Sequence, residues 1–323
     1  MVVVTGATGH VGGNLVRALL AEGRQVRAVV RDDARAVEGL PVERVRADVL
    51  DLDSLKAAFD GADVVYHLAA LISITGPQGG KVQAINVGGP RNVVAACLDR
   101  KVRRLVHFSS IHAYRSDPFE EPLDETRAFV PDGSPAYDTS KAAAQREVLA
   151  SVEKGLEAVV VNPTAVIGPN DFKPGRMGAV IKMLVRRKMP ALIDGGFDWV
   201  DVRDVVAGAM AAEKLGRPGQ NYLLGGHWST FGELAQCVQK ASGVKVPTAV
   251  TPMWLAHVGA PFVQAWSAIT KTMPLYTTEA LHALKSNRCV SHDKAARELG
   301  YSSRPLEQTI ADTVAWFREA GQL

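Results

Sequence analysis

The stretch "TGATGHVGG", Thr5–Gly13, decides the fold. It follows the β-branched run "MVVV" and precedes "NLVRALLAEG", so the local order is strand, glycine turn, helix. Gly6, Gly9 and Gly12 recur every three residues. A glycine turn between a buried strand and a helix lets backbone come close to a ligand. The first N–H groups of the helix and its positive dipole end then face that ligand, and phosphate is the natural guest. With 29 glycines in the chain, the spacing alone says little. The strand before it and the helix after it turn it into a dinucleotide-binding signature.

The same alternation continues along the chain. After "MVVVTG" and a helix over Asn14–Glu22 come strand two, "QVRAVVR", strand three, "VERVRAD", and the helix "LDSLKAAF". Strand four, "ADVVYHLAA", precedes a helix over Val82–Arg100, and strand five, "RRLVHFSS", precedes a helix over Tyr137–Glu153. Strand six is "LEAVVVNPT". Continuously apolar strands separated by helices predict a doubly wound, parallel α/β sheet. Beyond Gly168 the pattern loosens into a loop, the helix "AVIKMLVRRK" and a largely helical tail, while "WVDVRDVVAGAMAAEKL" and "NYLLGG" read as a return to the core fold. The expected division is a dinucleotide-binding domain over 1–168, to which 197–226 return. A smaller, mostly helical substrate domain is built from 169–196 and 227–323.

Bulk composition narrows the function classes. Of the 323 residues, 47% are hydrophobic and 22% charged, as in an ordinary globular protein. A net charge of +3 without basic runs argues against a nucleic-acid partner. The eight histidines show no metal spacing, and Cys97, Cys237 and Cys289 are too scattered for a zinc or disulfide framework. A strand that starts at once leaves no room for a signal peptide, so a reducing, cytoplasmic setting is expected. "PMWLAHVGAPFVQAWSAI", Pro252–Ile269, is apolar but interrupted by His257, Pro261 and Gln264. It reads as a buried helix or pocket wall and not as a membrane span, with an interfacial helix as the alternative.

The chemistry lies in "PAYDTSKAAAQ". Tyr137 and Lys141 are four apart at the start of a helix and share a face. An ammonium near a phenol stabilises the phenolate, which predicts a lowered Tyr137 pKa and a group able to give and take a proton. Ser109 and Ser110 end strand five, at the edge where ligands bind in a doubly wound sheet. A serine there can hold a substrate oxygen against the tyrosine.

Taken together, "TGATGHVGG", "ADVLDLDSL", "VVYHLAA", "INVGGPRNVVAAC", "HFSSIHAY", "YDTSK" and "NPTAVIGP" resemble the extended short-chain dehydrogenase/reductases over almost the whole chain. The resemblance implies a Rossmann-type sheet and a catalytic triad of Ser110, Tyr137 and Lys141. Ser110 lies four before Tyr114, the family's serine spacing, and Ser109 stays open as the alternative. It further implies cofactor contacts from Gly6, Thr8, Gly9, His10, Val11 and Gly12 in the glycine loop, and from Asp48 and Val49 at the adenine. Leu68, Ala69 and Ala70 follow strand four, Asn86 matches the family's helix asparagine, Ser109 and Tyr137 are further cofactor contacts, and Lys141 holds the nicotinamide ribose. Pro163, Thr164 and Val166 resemble the segment packed on the nicotinamide. Homodimerisation is a habit of the family.

The end of strand two, "VVRDDAR", places Arg31 where an acidic residue would favour NAD. A guanidinium there suits a 2′-phosphate, so NADP(H) is expected, with NAD(H) as the alternative since Asp32 and Asp33 adjoin. "PTAVIGP" and "WVDVRDVV" resemble dihydroflavonol 4-reductase and 3β-hydroxysteroid dehydrogenase relatives more than nucleotide-sugar epimerases, which carry an asparagine at the place of Ala165. With Trp254, Phe262, Trp266, Met273 and Tyr276 in the tail, the expected substrate is a small hydrophobic ketone, aldehyde or alcohol. The alternatives are a nucleotide-sugar epimerase or dehydratase that retains NAD, and a cofactor-sensing protein without turnover.

Overall fold

The computed structural model describes all residues of 1–323 except 32, 257, 259–280, 282, 283 and 285. Its centre is β1 (Val2–Thr5), every residue of which is buried. β2 (Val26–Val30) and β4 (Val64–His67) flank it in parallel register. β3 (Glu43–Arg46) closes one edge beyond β2. On the other side follow β5 (Arg104–Phe108), β6 (Glu157–Pro163) and, later in the chain, β10 (Asn221–Leu224). The order β10-β6-β5-β4-β1-β2-β3 is a seven-stranded parallel sheet whose connections reverse direction at β1 and β4. This is the Rossmann-type α/β architecture that the alternation predicts.

Side chains of successive strand residues point to opposite faces, so each strand feeds two cores. On one face Val2, Val4, Ala28, Tyr66, Val106 and Val159 pack with Leu15, Val16 and Leu19 of α1 (His10–Ala21). On the other, Val3, Val65, Leu105 and Val160 meet Leu55 and Ala58 of α2 (Leu52–Ala58), then Val93, Ala96 and Cys97, and Val148. The region read as one helix over Val82–Arg100 is three pieces. α3 (Lys81–Gln83) runs into a π-helical turn, Ala84–Gly88, and then α4 (Gly89–Asp99). α5 (Ala136–Ala150) carries the Tyr-Lys pair.

"WVDVRDVV" divides between two layers. Its strand half, β9 (Gly196–Asp201), joins a separate three-stranded sheet between β7 (Ala165–Ile167) and β11 (His227–Thr230). Its helical half, α7 (Val202–Leu215), lies under the main sheet beside α1, burying Val205, Val206 and Ala209. The sequence reading returned both halves to the main fold; only the helix and β10 do so. α6 (Arg176–Val185), α8 (Phe231–Ser242) and α10 (Leu306–Glu319) cover the small sheet through Ile181, Leu184, Leu234, Val238, Ile310 and Phe317, closing over Trp199. β8 (Leu192–Ile193) pairs with β12 (Val250–Thr251), and α9 (Asp293–Leu299) docks Leu299 on the main core.

Candidate active site

All the strands of the main sheet point the same way, so their carboxyl ends form one edge. At that edge β1 ends in the glycine turn. Gly6 has φ +71°, and a Cβ there would lie 2.7 Å from the Ala69 amide nitrogen. A Cβ on Gly12 would collide with the Gly6 carbonyl and sit 2.9 Å from the Ala7 Cα. Gly12 lets α1 pack directly on the turn, and Gly6 lets the turn close on the segment after β4. Gly9 differs: its Cβ would meet only Gly6 O, at 3.4 Å, and the residue is exposed. It is the N-cap of α1, with no side-chain cap and no acidic residue in the first turn. The amides of His10, Val11 and Gly12 thus begin a helix whose donors have no intrahelical acceptor. An open glycine over an uncapped, acid-free helix start is a cradle that fits the diphosphate of a dinucleotide. The helix begins at His10, four residues before the expected Asn14, because Gly9 caps it. The His10 ring itself is spent on the Pro169 carbonyl at 2.9 Å, which leaves its backbone amide for phosphate.

The triad residues come together. Ser110, 8% exposed, ends the segment after β5 and caps the short turn Ile111–Ala113 by accepting the His112 amide at 3.2 Å. Ser110 also stands close enough to the Tyr137 hydroxyl to draw its proton affinity down. Ser109 does not reach it: its hydroxyl is buried with no partner among the described residues. Lys141, one turn along α5 and buried, donates from Nζ to the Phe108 carbonyl at 3.0 Å and stands 6.0 Å from the centre of the Tyr137 ring.

Burial governs the proton affinities here. It pushes the half-buried Tyr137 hydroxyl up to about 12, against the downward pull of Ser110, and the Asp138 charge adds to the rise. The sequence reading expected a lowered value. Removal from water dominates, and the Lys141 ammonium is itself desolvated: burial pulls Lys141 down to about 8.

Several polar side chains hold these groups in place. Asn86, in the π-helical turn, accepts the Leu71 amide at 2.7 Å and donates to the Leu71 carbonyl at 3.0 Å and to Ser140 Oγ at 2.9 Å. Expected as a cofactor contact, its side chain instead ties the loop after β4 to α5. Asp48 caps its own turn by accepting the Leu50 amide at 2.9 Å, and Val49 packs on Gly89. Leu68, Ala69 and Ala70 follow β4 directly, with the Leu68 amide bound to Thr5 O at 3.2 Å. Pro163 ends β6, Thr164 follows with its amide 3.4 Å from Leu224 O, and Val166 lies in β7 against the main core.

Three features escaped the sequence reading. Asn162 donates to Ser110 O at 3.0 Å and to Gln145 Oε1 at 2.7 Å, fixing the serine from the next strand. His67 and His107, adjacent in register on β4 and β5, stack at 5.3 Å between ring centres, fully buried near Lys141. Thr5 Oγ1 binds His67 Nδ1 at 2.7 Å. Burial holds His67 at about 3 and His107 well below its ordinary value, so both are neutral. The signal available was a polar residue inside each apolar strand.

The segment that would wall a substrate pocket is described only in part. Trp254 is 68% exposed, and Phe262, Trp266, Met273 and Tyr276 lie outside the described residues. No helix among the described residues is long and apolar enough to cross a membrane, and no group of three or more His, Cys, Asp or Glu there could hold a metal.

A family model for the NAD-dependent epimerase/dehydratase family matches residues 2–225, the span that builds the main sheet and its glycine turn. The chain belongs to that family. As an NAD-dependent epimerase/dehydratase family member it is an enzyme of the extended short-chain dehydrogenase/reductase type. Over 99% of both chains it is 34% identical to sterol demethylase protein B of Methylococcus capsulatus. It is 33% identical to a putative dihydroflavonol 4-reductase of Synechocystis, over 98% of this chain and 94% of that one. The solved structure of gox2253 superposes with a TM-score of 0.87 at 33% identity, covering 100% of this chain and 99% of the other.

Proposed function

We propose that this enzyme is an NADP(H)-dependent reductase of hydrophobic ketones and aldehydes, working through Ser110, Tyr137 and Lys141. The observation that carries the reading is Ser110 beside the Tyr137 hydroxyl, with Lys141 one turn behind it on α5 and fixed on the Phe108 carbonyl. Bound NADPH supplies the hydride. The residues of the chain do the rest. Ser110 and Tyr137 present two hydroxyls to one carbonyl oxygen. Tyr137 transfers its proton to that oxygen as charge develops there. Lys141, fixed on the Phe108 carbonyl, stabilises the phenolate left behind and is placed to hold the ribose. A tyrosine that burial keeps protonated is suited to donate.

Two observations favour the phosphorylated cofactor. Arg31 is exposed at the end of β2. Asp33 is bound by Arg35 at 3.0 and 2.7 Å, so its carboxylate is engaged instead of free for a ribose hydroxyl. The names of the sterol and flavonoid relatives favour an apolar substrate. We place its binding on residues 169–196 and 227–323.

The test is loss of NADPH absorbance with purified protein and acetophenone, cyclohexanone, benzaldehyde or a steroidal ketone. NADH and Tyr137→Phe are run beside it. Consumption that favours NADPH and disappears in the variant is expected. A protein that consumes neither cofactor yet isomerises sugar nucleotides with retained NAD is an epimerase instead.

A further inference from the structure

Helical spacing puts a third polar residue on the face of α5 that carries Tyr137 and Lys141. Gln145 lies four residues beyond the lysine, and residues four apart on a helix are neighbours. It is fully buried, where an amide is costly unless its hydrogen bonds are made. Other elements make them. Gln145 Oε1 accepts from Asn162 Nδ2 of β6 at 2.7 Å, and Gln145 Nε2 donates to the Tyr114 hydroxyl at 2.8 Å. Asn162 Nδ2 directs its second N–H at the Ser110 carbonyl, 3.0 Å away. The Tyr114 hydroxyl also meets the side-chain amide of Asn221 on β10.

The direction of each link follows from the first. A backbone carbonyl only accepts, so Asn162 turns its Nδ2 to Ser110. The other N–H of that nitrogen then requires an acceptor, which Gln145 presents as Oε1, and this leaves Gln145 Nε2 for the phenol oxygen. Flipping either amide would set two acceptors or two donors against each other. The far end is fixed by packing: Tyr114 is 3% exposed and its ring stacks on Phe129, with centres 5.3 Å apart. Burial pushes the Tyr114 hydroxyl above its ordinary value, so it keeps its proton at neutral pH. At the near end, Ser110 lies past the last residue of β5. Its carbonyl accepts the Ala113 amide of its own turn at 3.1 Å, and Asn162 ties it to the neighbouring strand and, through Gln145, to α5.

We propose that Gln145 is a positioning residue that sets the Ser110 hydroxyl against the Tyr137 hydroxyl by way of Asn162, with Tyr114 and Asn221 holding the Gln145 side chain in place. The inference rests on the reductase reading, in which both hydroxyls meet one carbonyl oxygen. Gln145 and Tyr137 share one rigid helix. The chain therefore registers Ser110 to the proton donor itself, and a shift of α5 carries the donor, the ammonium and the tether of the serine together.

A double-mutant cycle in NADPH oxidation, with the carbonyl probes above, tests the chain. Gln145→Met keeps length and helix propensity but leaves Asn162 without its acceptor and Tyr114 without its donor. It is expected to lower kcat about tenfold, as a small misplacement of a reacting group does, with KM for NADPH unchanged. Tyr114→Phe keeps the ring on Phe129 and removes only the hydroxyl. It should lower kcat about 3- to 10-fold, the worth of one hydrogen bond, and it decides the matter where Gln145→Met fails to fold. In a Ser110→Ala background both losses should disappear, because the hydroxyl that they position is gone. Losses of equal size with and without that hydroxyl mean that Gln145 supports only the fold, and they overturn the proposal, as does wild-type kcat in both single variants. Carbon NMR of the Ser110 carbonyl reads the chain without turnover. Its resonance should move in Gln145→Met and in Tyr114→Phe, and an unmoved resonance overturns the proposal whatever the substrate. Wild-type protein that oxidises no NADPH, in which the resonance nonetheless moves with these substitutions, overturns the reductase reading and leaves the chain standing.

Discussion

At the scale of single residues, charge and close approach decide separate things. In the proposed NADP(H) reading Arg31 chooses the cofactor, because Asp33, two residues on, is already paired with Arg35. Arg31→Ala is expected to raise KM for NADPH by about tenfold or more, the worth of one charge-assisted hydrogen bond, and to leave NADH nearly unchanged. Equal effects on the two cofactors in initial-rate assays would remove Arg31 from the 2′-phosphate. Gly9 and Gly12 form a second contrast. A methyl on Gly9 meets only one atom of the protein, at 3.4 Å, whereas a methyl on Gly12 runs into backbone. Gly9→Ala should therefore melt like the wild type but bind NADPH weakly. Gly12→Ala should lower the melting temperature as well, since α1 has to move off β1. Isothermal titration and thermal melts of the two variants separate a ligand cradle from a packing contact.

At the scale of elements, what could be read from the sequence was what neighbouring positions encode. Val2, Val3 and Val4, then three glycines at equal spacing, wrote β1, its turn and α1 in one stretch. Tyr137 and Lys141 were legible because a helix brings residues four apart to one face, and Ser110 because it stands just past the end of β5. Asn162 and the His67–His107 stack were not, since their meaning depends on which strand lies alongside. The split of "WVDVRDVV" escaped for the same reason: an apolar strand does not say which sheet will pair with it. Asn86 shows the cost of such non-local links. Its three hydrogen bonds join the π-helical turn to the loop after β4 and to α5. Asn86→Leu strips partners from the Leu71 amide and from Ser140. It should cost roughly 2–4 kcal/mol in chemical denaturation, and should lower kcat by loosening α5 against β4. A variant of wild-type stability would mean that water replaces the amide without loss.

At the scale of the whole molecule, the edge that carries the candidate site is also where stability responds to pH. His67 and His107 stay neutral in the folded protein, His67 down to about pH 3. In the unfolded chain both take up protons near pH 6.5. Below that pH the unfolded state binds more protons than the native state, so stability rises with pH and falls on acidification. The loss from the pair approaches about 2.7 kcal/mol per pH unit once both unfolded imidazoles are charged. Lys141 acts with the same sign at the alkaline end. Its ammonium is held at about 8, so between about 8 and its ordinary value the unfolded chain keeps a proton that the native state has released, and stability gains as pH rises. Urea denaturation at pH 7, 6 and 5 isolates the histidine part when wild type is compared with His107→Phe, which fills the same strand position without a titratable ring. The variant should lose about half as much stability per pH unit over this range, whereas identical slopes would mean that the buried imidazole of His107 takes up a proton within the native fold. The catalytic edge therefore makes the fold acid-sensitive: the neutral imidazoles that pack beneath Lys141 at working pH are the groups that favour unfolding once they can be protonated.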